Sequence, residues 1–503
     1  MGPGRARLNG EIRGALRQAR AAAAQQVWLV GGAPRDALLG RPILDLDLAC
    51  ADARILAARL ARSFRGTLVV LDEANSVYRI ALPPKPGKTL RQIDVAGLQG
   101  KTILEDLGRR DFTINALAFE LGKTIPASIA STSFLDPRKG LGDLAAGLVR
   151  ADVEDNLTDD PLRLLRAVRL AAQLGFDIEA GTLKAIYRHR RRVREPAPER
   201  IHAELFSLLG VSGSSRWIRL LDECGLLTEI FEELEPSRRC AENYYGPGGV
   251  MTHSLNVCAR LDYLLDNLGA VFPSSGRDLE KHIASRGGPA FRALLLLSAL
   301  LHDVSKPETA RRVDDRLRFF EHDTRGAAVT EKILRRLRLS REHIETASAI
   351  VRHHLRPGHL ASGGPLSERA VYRFFRDLGQ NAPGLLLVCW ADHASYMPHE
   401  RLQRLLKTAC ADYGRSDLSR FKPEDTRKTL RHLQLVAQLL RRWQELEATP
   451  TPKQLVDGRD VMKRLKIPPG PKVGDILERV REAQAEGSIR SREDALALIS
   501  LLK

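Results

Sequence analysis

Two aspartates one residue apart, Asp45 and Asp47, close the stretch VWLVGGAPRDALLGRPILDLDL (27–48), behind the glycine pair Gly31-Gly32. On a strand, positions i and i+2 project from one face, roughly 6.5–7 Å apart along the backbone. That spacing suits two carboxylates sharing divalent ions about 3.5–4 Å apart, the arrangement used for in-line phosphoryl transfer. Asp94, in the alternating RQIDV, is placed to bring a third carboxylate from a neighbouring strand. A solvated strand face produces the same DxD pattern, so the glycines must decide. Between a strand and a helix start, Gly31-Gly32 can adopt conformations closed to other residues and turn backbone N–H groups toward an anion. Arg35, followed by Asp36, adds a charged donor, and the helix N-terminus adds its dipole. A strand–turn–helix–strand unit of this kind can hold a triphosphate and its metal ions.

A second constellation lies far along the chain. His253, His302-Asp303, His322, His354 (with His353 beside it) and Asp392 occur in the order H, HD, H, H, D. Imidazoles with carboxylates at helix ends can bind a divalent transition metal and activate water. A buried structural His-Asp pair would also end a helix as LLHD, but six positions in one order favour a metal site.

The elements that position these residues follow from periodicity. An amphipathic helix is expected over 8–24, then a buried strand VWLV (27–30) and a helix opening at Asp36 to Leu39. LDLDLAC (44–50), TLVVLD (67–72), VYRIAL (77–82) and RQIDVAG (91–97) read as strands, with PPKPGK (83–88) as a turn. From Pro161 helical periodicity dominates, broken at 245–249, 273–276, 363–365 and 449–452. The expected fold class is α+β, a small mixed head on an all-helical body. We expect an N-terminal helix at 1–24, a head at 25–150, a neck at 151–215, a second helical domain at 216–400 and a helical tail at 401–503.

Composition sets outer bounds. The 503 residues exceed one ordinary domain, and 43% hydrophobic content provides several cores. A formal net charge of +17 suggests a polyanionic partner, most simply nucleic acid. Six cysteines without any CxxC pair read as reduced thiols. No apolar run reaches the length of a membrane span, so no membrane partner and a soluble, cytoplasmic protein are expected.

The stretch LVGGAPRDALLGRPILDLDL closely resembles the signature of class II tRNA nucleotidyltransferases and bacterial poly(A) polymerases, in the polymerase-beta superfamily. The usual pattern has an aliphatic residue at Pro34, a departure that only stiffens the turn. GRRDFTINALAF (108–119) resembles the family's second motif, which implies contacts from Arg109, Arg110, Asp111 and Asn115 to the nucleotide's sugar and triphosphate. LDPRKGLGDL (135–144) resembles a third, hinge-like motif carrying Asp136, Gly140 and Asp143.

In DDPLRLLRAVRLAAQLGF (159–176), Asp160 and Arg163 are three apart and expected to meet on one helix face; an ordinary ion pair, with Arg166 and Arg169 solvated, is the alternative. The family's Glu-Asp-x-x-Arg at this place implies that Asp159, Asp160 and Arg163 read the base edge of CTP or ATP, with Arg166 beside them. Asp159 stands where Glu is usual, one methylene shorter. PERIHAELFSLL (198–209) resembles the next element, and Glu199 and Arg200 read as structural.

The histidine series is similar to HD-domain metal phosphohydrolases, although Ser305 replaces the glycine of the usual HDxGKP. LVDGRDVMKRLKIPPGPKVGDIL (455–477) resembles the family's tail module, with Gly458, Asp460 and Gly470-Pro471 as turn and cap residues. The resemblance implies addition of C or CCA to tRNA 3′ ends from CTP and possibly ATP, with two Mg²⁺ ions held by Asp45 and Asp47. Its rivals are a poly(A) polymerase and an HD phosphohydrolase acting on RNA 3′ ends. CCA-adding members carry a loop of a few tens of residues before RRD. Here only fourteen residues separate Asp94 from Arg109, which resembles the members that add C but not the terminal A.

Overall fold

The computed structural model describes residues 4–362, 366–414, 417–448 and 454–502. The expected breaks at 363–365 and 449–452 lie outside the described residues. The chain forms two compact units, Met1–Glu204 with Leu220–Ile230, and Leu205–Arg219 with Phe231–Lys503.

The first unit is built on a mixed six-stranded sheet. Its strands are β2 (Val27–Val30), β3 (Asp45–Cys50), β4 (Thr67–Asp72), β5 (Val77–Ala81), β6 (Gln92–Gly97) and β7 (Phe119–Glu120). Their order is β4-β5-β6-β3-β2-β7, with β3 and β6 parallel and the other pairs antiparallel. Two further short strands, β1 (Arg5–Arg7) and β8 (Ser128–Ala130), pair with each other. Alternation in LDLDLAC sends Leu46 and Leu48 into the core, leaves Asp45 exposed and half-buries Asp47 on the other face. The N-terminal helix runs Gly10–Ala22, capped by Asn9, and packs on the helix Ala53–Phe64 as part of this unit. Glu11 accepts hydrogen bonds from the Thr89 and Leu90 amides and fastens the loop before β6.

The helix after the glycine turn begins earlier than the sequence indicates, at Gly32 rather than Asp36, and ends at Leu38. Pro34 falls in its first turn, where the missing N–H has no intrahelical partner to lose. The strand predictions hold to within one residue. The all-helical expectation for the remainder misses two small features. Leu148–Val149 pairs with Asp177–Ile178, and Ala310–Val313 forms a hairpin with Arg316–Phe319.

The second unit is otherwise helical. Its core is crossed by the apolar helices Pro289–Leu301 and Ala382–Ser395 and the helix Gly249–Asp266. At the C-terminus three helices, Gly458–Leu465, Pro471–Ala485 and Arg492–Leu501, share a small core of Val461, Ile476 and Ile499. Asp457 with Asp460 and Ser491 with Asp494 form capping boxes, and Pro471 opens its helix, so the turn and cap reading of this segment holds.

Candidate active site and metal centre

In the head, β3 and β6 place Asp47 directly beside Asp94, with Arg79 of β5 next in the same row. Gly31 takes φ +71°, and a Cβ there would stand 2.5 Å from Asp47 Oδ2. The Gly32 amide points at the same oxygen, 3.4 Å away. The glycine pair is therefore required by the close approach of Asp47 as well as by any anion. Burial first, then repulsion from Asp94 and Asp45, pushes the Asp47 carboxyl up to about 6, against the opposing pull of Arg110. Burial and Asp94 push Asp45 up likewise. Carboxylates crowded enough to resist ionisation are what divalent cations relieve, so Asp45 and Asp47 fit a metal role. Asp94 differs from expectation. Arg79 grips it with two hydrogen bonds, Nε to Oδ1 at 2.8 Å and Nη2 to Oδ2 at 2.7 Å, so its carboxylate is already committed to a cation.

A continuous polar network runs from the glycine turn to the helix Leu162–Leu174. Arg35 forks onto its neighbour Asp36 and donates to Asn115 Oδ1 at 2.6 Å. Asn115 Nδ2 donates to Asp111 Oδ1 at 3.0 Å. Arg166 Nη1 lies 3.5 Å from Asp111 Oδ2 and its Nε donates to Glu204 at 2.9 Å, while Arg169 donates to the other Glu204 oxygen at 2.6 Å. Burial works against the Asp111 carboxylate, yet Arg166, Asn115 and Arg163 hold it below the ordinary range. Arg166 and Arg169 are thus clamped by Glu204 rather than solvated. Arg110 is committed to Asp106 (3.0 and 2.8 Å), whereas Arg109 is exposed with no ion pair among the described residues.

The third motif braces the second. Asp136 caps the helix Gly140–Ala146 through the Gly140 and Leu141 amides, and Asp143 accepts from Thr113 Oγ1 at 2.7 Å. A Cβ on Gly140 would stand 2.1 Å from the Thr113 carbonyl oxygen, which is why only glycine fits.

Asp160 and Arg163 do not pair through their side chains. Pro161 delays the helix to Leu162, so Asp160 sits outside it with extended backbone (φ −132°, ψ 94°). Its carboxylate accepts from the Leu162 amide at 3.3 Å and from Arg200 Nη2 at 2.8 Å. Arg163 instead donates Nη1 to the carbonyls of Arg109 (3.1 Å) and Asn156 (2.9 Å), and its Nε is buried without a partner. Asp159 is exposed at the end of the helix Asp155–Asp159.

The second unit gathers the histidine series at helix ends. His253 Nε2 lies 3.1 Å from Asp392 Oδ1, His302 Nε2 3.2 Å from Asp303 Oδ2, and His322 Nε2 3.4 Å from Asp303 Oδ1. His354 Nε2 stands 3.7 Å from the same Asp303 oxygen; His353 is outside the cluster. Two candidate ligand groups result, His253–His302–Asp392 and Asp303–His322–His354. Three histidines use Nδ1 on backbone carbonyls, His302 on Ala299, His322 on Phe319 and His354 on Val351. His253 Nδ1 faces Ser395 Oγ, which itself donates to the Asp392 carbonyl. These contacts set the tautomer that leaves Nε2 free to ligate. Nε2 of His253, His302 and His322 and one oxygen each of Asp303 and Asp392 are buried without a hydrogen bond. Buried polar atoms are not left orphaned at no cost, and divalent metal bound at these two groups would satisfy them. Ser305 fits the glycine position because its φ is −96°, open to any residue.

Sequence reasoning did not single out Arg79, Asp106, Glu204, or the Lys306–Tyr245 pair beside the histidines. Alternation in VYRIAL does place Arg79 on the face away from Tyr78 and Ile80, and that signal was available.

Comparison with known proteins bears on both sites. The Poly A polymerase head domain model matches residues 27–150, "Probable RNA and SrmB- binding site of polymerase A" matches 175–237, the HD domain matches 250–397, and tRNA nucleotidyltransferase domain 2 matches 419–499. The chain is 31% identical to an A-adding tRNA nucleotidyltransferase of Deinococcus radiodurans over 94% of each chain. It is 32% identical to a CC-adding tRNA nucleotidyltransferase of Thermus thermophilus, over 93% of this chain and 92% of that one. Its fold matches a Thermotoga maritima CCA-adding enzyme solved with tRNA, at TM-score 0.60 and 20% identity over 99% of this chain and 97% of that one. No helix among the described residues is long and apolar enough to cross a membrane. The chain belongs to the tRNA nucleotidyltransferase family, with a poly(A) polymerase-type head and an HD domain.

Proposed function

We propose that the protein adds C residues, and not the terminal A, to tRNA 3′ ends from CTP, releasing pyrophosphate. The observation that carries this is the connection between β6 and the helix Ile103–Gly108, a tight turn of residues 98–102 held by Asp106 and Glu105. There is no room in it for the long loop associated with the switch to ATP. The CC-adding relatives of Thermus thermophilus and Synechocystis support the reading, and the A-adding relative of Deinococcus radiodurans marks its alternative.

In this reading Asp45 and Asp47 hold two Mg²⁺ ions, which supply activation of the primer 3′-hydroxyl and charge compensation for pyrophosphate. Gly31, Gly32 and Arg35 receive the triphosphate, and Arg109, Asp111 and Asn115 the sugar and phosphates. Asp160 and Arg163 present an acceptor and a donor to the base, with Asp159 at the rim. The tail from 401 onward and exposed basic residues such as Arg404, Lys407 and Arg431 hold tRNA through its phosphates.

The five orphaned ligand atoms favour a second activity, phosphoester hydrolysis at RNA 3′ ends with a divalent transition metal at the histidine centre. One assay tests the first reading: tRNA ending at the discriminator base, Mg²⁺, and CTP or ATP separately and together. Two added C residues and no A are expected. A single A added to tRNA ending in CC would overturn it, as would long A tails on unrelated RNA.

A further inference from the structure

Beside the histidine centre lies a groove of about 800 Å³ between the segment Arg239–Tyr245 and the hairpin 310–319. The hairpin turns on Asp314 and Asp315, both at positive φ (48° and 54°), the two-residue turn that matches strand twist. Its register sets Arg311 directly opposite Arg318, with Arg316 on the same face, two residues along from Arg318. Like charges directly opposite one another are destabilising. None of Arg239, Arg311, Arg312, Arg316 and Arg318 has an ion pair or side-chain hydrogen bond among the described residues. The acidic groups nearby, Glu242 and Asp315, leave the groove with an excess of cations.

The aromatic side of the groove joins it to the centre. Tyr245 stacks on the ligand His253 (centroids 4.7 Å apart) and its hydroxyl accepts from Lys306 Nζ at 2.8 Å; Lys306 also pairs with Asp303. Tyr244, edge-on to Tyr245, is 72% exposed. The far strand of the hairpin ends at Phe319, whose carbonyl orients His322. Unpaired arginines for phosphates, an exposed ring for a base, and a wall shared with buried orphan ligands meet in one groove.

We propose that this groove binds a phosphorylated nucleoside, the base on Tyr244 and the phosphates on Arg316 and Arg318, with the terminal phosphate directed past Tyr245 toward the histidine centre. The proposal rests on the metal-centre reading and is independent of the nucleotide-adding site. The ligand is an RNA 3′ end or a free nucleotide.

The test uses the full-length chain and a fluorescent RNA pentanucleotide with a 3′-phosphate, followed by anisotropy, with 3′-CMP as competitor. The double variant Arg316→Glu/Arg318→Glu is expected to weaken pentanucleotide binding at least tenfold, and Tyr244→Ala about tenfold. Arg316→Lys/Arg318→Lys is expected to retain affinity within about threefold, because each lysine keeps the positive charge that neutralises a phosphate. All three sites are at the surface, and thermal melts check folding. A 4-thiouridine in the pentanucleotide is expected to crosslink to the peptide containing Tyr244. Competition by 3′-CMP at equal strength assigns the groove to free nucleotides; a pentanucleotide preference of tenfold or more assigns it to RNA ends. Wild-type affinity in both the Glu double variant and Tyr244→Ala, or crosslinks confined to other peptides, overturns the proposal. Metal analysis of the same preparations separates the two readings. A chain without bound metal that still loses RNA affinity in the variants refutes the metal centre alone, and a metal-loaded chain with unchanged affinity refutes the groove alone.

Discussion

Asp47 bears the strongest electrostatic conflict in the head. Its folded-state carboxyl stands at about 6, above the ordinary 3.8, because burial and two neighbouring carboxylates oppose its charge. A carboxyl raised in the folded state stabilises the fold only while protonated. That contribution is complete below the unfolded value and lost as pH rises through 6. Asp47→Asn is therefore expected to abolish C addition yet stabilise the metal-free protein at pH 7.5 by about 1–2 kcal/mol. Urea melts at pH 7.5 and 5 check this, the gap between variant and wild type narrowing at the lower pH. By the same sign, Mg²⁺ affinity at the head should fall as pH drops below 6, since protons compete for the ligand; isothermal titration across that range reads it out. At the position proposed to read the base, Arg163→Ala is expected to lower the preference for CTP over UTP by about 10–100-fold, measured as the ratio of kcat/KM values. The buried, unpartnered Nε and two carbonyl contacts show that this guanidinium is aimed by backbone rather than by Asp160.

Among elements, the helix Gly140–Ala146 and the turn Thr113–Asn115 are pressed together so closely that the contact tolerates no side chain. Gly140→Ala is expected to cost about 1–3 kcal/mol by overpacking and to reduce C addition by displacing Asn115. Denaturant melts and tRNA extension measured together check it; normal extension in a destabilised protein would separate the brace from the site. Glu204 joins two arginines of the helix Leu162–Leu174, and Glu204→Ala should cost a similar amount by removing the carboxylate that both half-buried cations share, leaving Arg166 only Asp111 and Arg169 only Gln173. The DxD strand, the glycine turn and the capped tail helices were legible in the chain because each is set by local periodicity and turn chemistry. The hairpin 310–319 was not. Its alternation is carried by arginines rather than apolar residues, and its Asp-Asp turn lacks the usual glycine. The Asp160–Arg163 pair was misread because three-residue spacing brings side chains together only inside a helix, and Pro161 moves the helix start past Asp160.

At the scale of the whole molecule, a net charge of +17 and exposed basic residues along the tail make the proposed tRNA binding electrostatic in character. The dissociation constant for tRNA is expected to rise steeply between 50 and 200 mM salt, by about 10³-fold or more if six or more phosphates are contacted. The histidine centre draws its candidate ligands from the helices Gly249–Asp266, His322–Arg336 and Ala382–Ser395 and from the ends of Pro289–Leu301 and Arg341–His353, so a metal held there would tie five elements together. Treatment with 1,10-phenanthroline is expected to lower the melting temperature, and Mn²⁺ or Ni²⁺ to restore it. His302→Ala should melt at the chelated value and not respond to either reagent.

The chain by itself determined which residues could do chemistry and in what order they come. DxD, RRD and the histidine series are short patterns whose geometry follows from strand pleat or helix ends, and they identified the family and the α+β head and marked the candidate ligands. Only the tertiary structure decided how each charge is spent. Arg79 takes Asp94, Arg110 takes Asp106, Arg200 takes Asp160 and Glu204 takes Arg166 and Arg169. Most of these partners lie in different elements, brought into register by the sheet or by packing against the neck helix. A charge's partner depends on distance in space, and sequence spacing measures that distance only within one regular element.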